Sequence, residues 1–272
     1  MFSVCYCGNK KIIGGIGLSL LSIAKVTPHP ISCYILTADV SYIKKEYVPI
    51  EESDRLFFEK IIRRFNDESR VYLIDASQEF KETFSSGRNM HSMYTPFAFL
   101  RLLMDQIPSL PDRVLYLDTD TVALKDVTPL FEADLFGHDI GVVHDPMREK
   151  EYFNSGVMLF NLKEIRNDGS FKQARNYIFA NKLMMPDQDA LNVVYKDNRT
   201  FLSNDFNEQR KTKGSTVIRH YCQAIHFFPY FHIIKAKPFD KEKFAKAYKK
   251  DSKLPIFAEF EALKKEYIQE EE

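Results

Sequence analysis

Arg113-Val114-Leu115-Tyr116-Leu117-Asp118-Thr119-Asp120 is a short unbroken apolar run that stops in two acids. Residues 114–117 show no polar alternation, so they are expected to form a strand covered on both faces, as in a sheet flanked by helices. Working toward the N-terminus, residues 97–106 read as a helix that ends before Pro108 and Pro111. Residues 70–74 read as a strand, 51–65 as a helix and 31–36 as a strand. Residues 17–26 read as a helix stopped by Thr27-Pro28-His29-Pro30, and 2–7 as the first strand. Toward the C-terminus, strands are expected at 140–144, 157–160, 217–219 and 224–227, with helices at 171–182 and 188–195. Strands that alternate with helices predict an α/β fold around a mostly parallel sheet. In such sheets ligands bind beyond the carboxyl ends of the strands, which is where Asp118 and Asp120 stand.

The chain has 272 residues, of which 44% are hydrophobic and 28% charged, with 23 Phe, 14 Tyr and no Trp. That is enough for one large catalytic unit, expected over 1–240, followed by a helical tail over 241–272 packed upon it. In the tail Phe257, Phe260, Leu263 and Tyr267 recur at near-helical spacing among lysines and glutamates. Lys plus Arg and Asp plus Glu number 38 each, so the long-range positive field that nucleic-acid binding requires is missing. The N-terminus lacks the basic and apolar regions of a signal peptide, and no apolar run reaches the roughly 20 residues of a transmembrane span. The expectation is a cytoplasmic protein whose Cys5, Cys7, Cys33 and Cys222 are unpaired small side chains.

Two carboxylates two residues apart, in a loop leaving a strand, can face one hard divalent cation whose other positions hold phosphate oxygens. The tripeptide alone also fits a solvated turn, and Asp187-Gln188-Asp189 repeats the pattern. Placement after a buried strand separates the first from the second. Gly15-Ile16-Gly17 lacks a following lysine at phosphate-loop spacing and reads as a helix entry.

Three blocks occur in order: residues 114–120, then Tyr152-Phe153-Asn154-Ser155-Gly156-Val157-Met158-Leu159-Phe160-Asn161-Leu162, then Asp187-Gln188-Asp189-Ala190-Leu191-Asn192. Together they resemble glycosyltransferase family 8, over roughly 240 residues from the first strand to Pro238. The resemblance implies a GT-A fold with a Rossmann-like mixed sheet and a UDP-sugar donor. It also implies Mn²⁺ (or Mg²⁺) as cofactor and transfer of a hexose to a glycan or lipid-linked acceptor with retention of configuration. Carried over by position, Asp118 and Asp120 are the metal pair, with Thr119 between them beside the nucleotide, and His220 is the third ligand. A competing alignment puts His232 in that place because it stands closer to Lys237, while His220 has the strand context. Neutral imidazole favours Mn²⁺ over Mg²⁺.

By the same resemblance Arg101 contacts the donor, Asn154 and Asp187 hold sugar hydroxyls, and Gln188 lies near the anomeric carbon. An amide has no ionisable form to activate, so the reading favours attack from the leaving-group face, with Gln188 stabilising positive charge. The family's acid at the end of the first strand is replaced by Cys7-Gly8-Asn9, and the Asn9 amide is then the group left to pair with the base. The family's phosphate-gripping lysine is assigned to Lys237, after an insertion that follows His220-Tyr221-Cys222. Phe227, Phe228, Tyr230 and Phe231 form either an acceptor platform or core. The lysine-rich tail reads as a solvated helix, with peripheral membrane contact as its other use. Two rival functions remain: a non-catalytic nucleotide-sugar binder, and a sugar nucleotidyltransferase, for which Gly8-Asn9-Lys10-Lys11 is a thin signature. Oligomeric state is not readable from the sequence.

Overall fold

The structure is a computed structural model that describes residues 2–85, 87–91, 95–226 and 232–271. In chain order the strands and α-helices are β1 (Phe2–Gly8), α1 (Ile13–Val26), β2 (Ile31–Thr37), α2 (Glu52–Arg63), β3 (Arg70–Asp75), α3 (Ser77–Phe84), β4 (Arg113–Leu117), β5 (Thr121–Ala123), α4 (Thr128–Phe131) and β6 (Ile140–His144). There follow β7 (Phe153–Asn161), α5 (Leu162–Asp168), α6 (Ser170–Ala180), α7 (Pro186–Val194), β8 (Arg199–Phe201), β9 (Ile218–His220), β10 (Ala224–His226), β11 (His232–Ile234), α8 (Lys241–Ala247) and α9 (Pro255–Glu271).

Among the described residues the main sheet has the order β3-β2-β1-β4-β7-β6-β8. Its first four strands are parallel, each step crossing over through helical chain as the alternating pattern requires. β7 is the exception, antiparallel to both β4 and β6. An antiparallel strand begins where its neighbour ends, so the first residues of β7 lie at the carboxyl end of β4. The pairing Leu117↔Val157 puts Gly156 beside Asp118, whose amide donates to the Gly156 carbonyl at 2.7 Å. Two two-stranded sheets accompany it among the described residues: β10 pairs with β11, and β5 leaves the Asp118-Thr119-Asp120 turn and pairs with β9, with Thr121 opposite His220.

Each face of the main sheet carries its own core. One holds Tyr116, Phe160, Phe171 and Leu103, and the other Tyr6, Leu115, Ile61 and Phe260. Residues expected as an α-helix over 97–106 form instead a 3-10 helix, Pro96–Gln106. Phe97, Phe99, Leu100, Leu102, Leu103 and Met104 are all buried, so no single α-helical face had to be segregated toward one core. Three residues per turn also place Arg101 over Ala98, whose carbonyl accepts from Arg101 Nε at 3.0 Å.

Helix α1 begins at Ile13, four residues before the expected start, after a 3-10 turn at Lys10–Ile12. Gly15 then falls inside its first turns, where a Cβ would stand 2.6 Å from the Thr119 carbonyl. The glycine therefore allows α1 to abut the acidic turn. The tail helix α9 lies on α1 and α2, with Phe260 against Gly17 and the Tyr267 ring 4.6 Å from that of Phe57. The four cysteines are free. Among the described residues no helix is long and apolar enough to cross a membrane. Phe227, Phe228, Tyr230 and Phe231 lie outside the described residues, as does the His232 side chain.

Candidate active site

The turn after β4 is held rigidly. The Asp118 carbonyl accepts from the Thr121 amide and from Thr121 Oγ1 (2.8 Å), and Thr121 Oγ1 joins Ser19 (2.9 Å) and, through it, Tyr6. Thr119 is half-buried between the two acids, its carbonyl against Gly15. Each acid has one oxygen committed and one available. Asp118 Oδ1 accepts from Tyr116 Oη (2.8 Å) and from an Arg101 guanidinium nitrogen (3.0 Å). Asp120 Oδ2 is paired with the Lys237 ammonium.

The remaining oxygens face one imidazole nitrogen. His220 Nε2 lies 3.1 Å from Asp120 Oδ1 and 3.7 Å from Asp118 Oδ2. It is buried and has no hydrogen-bond partner. One ligand atom from each of Asp118, Asp120 and His220 lies within 4.8 Å of the other two. Ligands at about 2.1 Å from an octahedral ion are separated by about 3 Å when adjacent, so the three atoms fit one divalent cation. Gly156 makes the fit sterically feasible: a Cβ there would stand 2.2 Å from His220 Cε1 and 2.9 Å from Asp118 Oδ2. Burial acts to raise the Asp120 carboxyl, but the Lys237 ammonium overcomes it and holds the group well below the usual carboxylate range. Asp120 is thus a permanent anion in a protected place.

Behind this triad lies a second group. Arg101 stacks on the Tyr116 ring at 4.3 Å and connects Asp118 to Asp187, whose Oδ2 is 3.4 Å from Arg101 Nε. Burial lifts the Asp187 carboxyl above its ordinary value, against the pull of Arg101. Gln188 Oε1 accepts from the Ser155 amide (3.0 Å), Ser155 Oγ (3.2 Å) and Asn154 Nδ2 (3.3 Å). Its Nε2 faces Asp145 and Tyr152 Oη at 3.5 and 3.4 Å. The residues expected from the second and third blocks are therefore brought together, one strand-width from the acidic turn.

Residues 3–243 match the sequence profile of Glycosyl transferase family 8. The chain belongs to that family. It is 28% identical over 226 residues to a lipopolysaccharide 1,2-glucosyltransferase of Escherichia coli strain K12, covering 75% of this chain and 61% of that protein. It is 22% identical over 228 residues to a lipopolysaccharide 1,3-galactosyltransferase of Salmonella typhimurium, covering 76% and 64%. The chain thus spans less than two thirds of the length of these relatives. The galactosyltransferase LgtC, solved in complex with donor and acceptor sugar analogs, superposes with a TM-score of 0.70 at 21% identity, covering 96% of this chain and 95% of that one. The fold is accordingly the GT-A fold.

In this family 8 chain the residues at the end of β1 and just beyond it divide. Cys7 is buried in the core near Leu36 and Tyr116. Asn9 caps the turn that leads into α1, its Oδ1 accepting from the Lys11 amide at 3.3 Å. A backbone N–H can only donate, so Oδ1 is fixed on that side and Nδ2, buried and without a partner, is the end left over. Lys237 is paired with Asp120.

Several residues of the site were not singled out from the sequence. Tyr116 could have been, since two residues before Asp118 on a strand is the same face. Ser155 stood inside a quoted block. Asp145 and Asn207 carried no local signal: both are buried, Asp145 at the start of a turn and Asn207 at the end of a 3-10 turn, Asn204–Asn207.

Proposed function

We propose that this protein is a retaining glycosyltransferase that moves a hexose from a UDP-sugar to a hydroxyl of a glycan or lipid-linked acceptor, with Mn²⁺ as its cofactor. The observation that carries the reading is the division of oxygens at the acidic turn. Asp118 Oδ2, Asp120 Oδ1 and His220 Nε2 converge, while the other oxygen of each acid is held by Arg101, Tyr116 or Lys237. Asp118, Asp120 and His220 would hold the ion, and a mixed oxygen and imidazole set suits Mn²⁺ better than Mg²⁺. A bound divalent cation supplies positive charge to the diphosphate leaving group. Lys237 places a further positive charge at the same position, and Asn9 Nδ2 offers a donor to a pyrimidine carbonyl where relatives place an acid.

Gln188 bears on the stereochemistry. Its carbonyl oxygen already accepts from three donors, so it is poorly available as a nucleophile on the sugar. Attack from the leaving-group face is the alternative that retains configuration. The anomeric carbon to UDP-oxygen bond breaks and the anomeric carbon to acceptor-oxygen bond forms. The acceptor proton passes to an oxygen of the departing β-phosphate, so no protein base is required.

Incubation with UDP-glucose or UDP-galactose and Mn²⁺ should release UDP slowly even without acceptor, and Asp118→Ala and Asp120→Ala should abolish that release while leaving the fold intact. Binding without turnover would replace this reading with a nucleotide-sugar binder, and consumption of UTP with a hexose 1-phosphate would replace it with nucleotidyl transfer.

A further inference from the structure

The imidazole of His220 does not stand alone. Its Nδ1 lies 3.0 Å from Asn207 Oδ1, Asn207 Nδ2 donates to Asn154 Oδ1 at 3.0 Å, and the Gly156 amide donates to that same Asn154 oxygen at 2.9 Å. Asn207 is 2% exposed, so water does not compete for these groups.

The direction of this chain is fixed by the backbone. An N–H can only donate, so the Asn154 atom facing the Gly156 amide is oxygen. The opposite end of Asn154 agrees independently: its nitrogen donates to Gln188 Oε1, an atom itself identified as oxygen by the Ser155 amide that donates to it. With oxygen on Asn154, the Asn207 atom that meets it is nitrogen, and the Asn207 atom that meets His220 is oxygen. An oxygen facing Nδ1 requires a proton on Nδ1. In the neutral ring the lone pair then falls on Nε2, the nitrogen between Asp118 and Asp120.

We propose that Asn207 is a positioning residue that transmits the polarity of the Gly156 amide to His220, setting the imidazole tautomer that presents a lone pair to a divalent cation. Free imidazole side chains in water favour the opposite tautomer, with the proton on Nε2. That form would turn an N–H toward the site and leave two lone pairs opposed at Asn207. The consequence for metal binding rests on the function proposed above, but the tautomer does not.

The first measurement is on the wild-type protein without metal. Long-range ¹H–¹⁵N correlation spectra of ¹⁵N-histidine protein, recorded where the ring carries one proton and assigned by loss of the signal in His220→Gln, should show the proton on Nδ1. A proton on Nε2 overturns the proposal without need of any variant. The second measurement compares Asn207→Leu and Asn207→Asp, each shown to be folded by circular dichroism. Asn207→Leu leaves Nδ1 without an acceptor, so the proton should move to Nε2 and Mn²⁺ affinity, read by titration calorimetry, should fall roughly 10- to 100-fold, as for loss of other metal-orienting partners. Asn207→Asp keeps an acceptor at Nδ1 and should retain the wild-type tautomer. Unchanged tautomer and Mn²⁺ affinity in folded Asn207→Leu overturns the proposal. A wild-type protein with the proton on Nδ1 that binds no Mn²⁺ supports the relay and sinks the metal-dependent function instead.

Discussion

Gly156→Ala tests the cation site through geometry alone, since it changes no charge and removes no hydrogen-bonding group. The new Cβ would stand 2.2 Å from His220 Cε1, 2.8 Å from Nδ1 and 2.9 Å from Asp118 Oδ2. To reach the 3.4 Å of ordinary contact the ring must retreat by about 1.2 Å, or the start of β7 must move by as much. The ring has little freedom to do so, being 1% exposed and held at Nδ1 by Asn207. Metal sites tolerate ligand displacements of only about 0.2 Å, so a shift several times larger should lower Mn²⁺ affinity by at least the 10- to 100-fold seen when a ligand loses its support. Overpacking should cost about 1–3 kcal/mol of stability, a few degrees in Tm, which leaves the protein folded. Titration calorimetry with Mn²⁺, alongside a thermal melt, reads both effects. Wild-type Mn²⁺ affinity in folded Gly156→Ala would refute the claim that Asp118, Asp120 and His220 share one ion.

Asn9→Leu removes the donor left over for the base, and the loss of one hydrogen bond should raise KM for the nucleotide donor roughly three- to tenfold with kcat nearly unchanged, measured by UDP release. Asp251 accepts from Thr212 (3.0 Å) and Tyr221 (3.2 Å) and lies 3.5 Å from Arg219 Nε, so Asp251→Ala removes the carboxylate beside a buried guanidinium that is otherwise held by the carbonyls of Glu208, Arg210 and His220 alone. That should destabilise the protein by on the order of 3 kcal/mol in urea unfolding. Burial, and then the neighbouring Asp168, push the Asp139 carboxyl up to about 7 from its ordinary 3.8. An acid raised on folding binds more protons in the native than in the unfolded chain over that interval, so its contribution to stability falls as pH rises from about 4 to about 7. Asp139→Asn should therefore flatten the pH dependence of Tm across that window in scanning calorimetry.

The parts of this structure that could be read in the sequence are those set by local pattern. The unbroken apolar run at 114–117 gave a buried strand because continuous burial and an absence of alternation are the same fact. The direction of β7 was not local. Residues 157–160 look alike whether they run with or against β4, and only the pairing Leu117↔Val157 shows that the strand begins four residues earlier, beside the acids. The 3-10 winding of Pro96–Gln106 escaped for a similar reason: a segment buried nearly all round has no apolar face whose period could be counted.

The site divides along the same line, and this bears on how its chemistry is controlled. Asp118, Asp120, Asn154 and Gln188 stand in the three blocks that carry the family resemblance, and the resemblance also pointed to His220, whereas Asn207 closes a short turn that resembles many surface turns. What gives it a role is that β9 pairs with β5, setting His220 opposite Thr121, and that Asn207 reaches across to Asn154, whose side-chain oxygen also accepts from the Gly156 amide two residues on. Two contacts distant in sequence, Asn207 with His220 and Asn207 with Asn154, are thus needed before one asparagine can pass a backbone polarity to an imidazole. A residue placed in that way can be exchanged only for one that keeps an acceptor toward Nδ1, so a substitution there should alter cation binding while every residue that touches the cation remains in place.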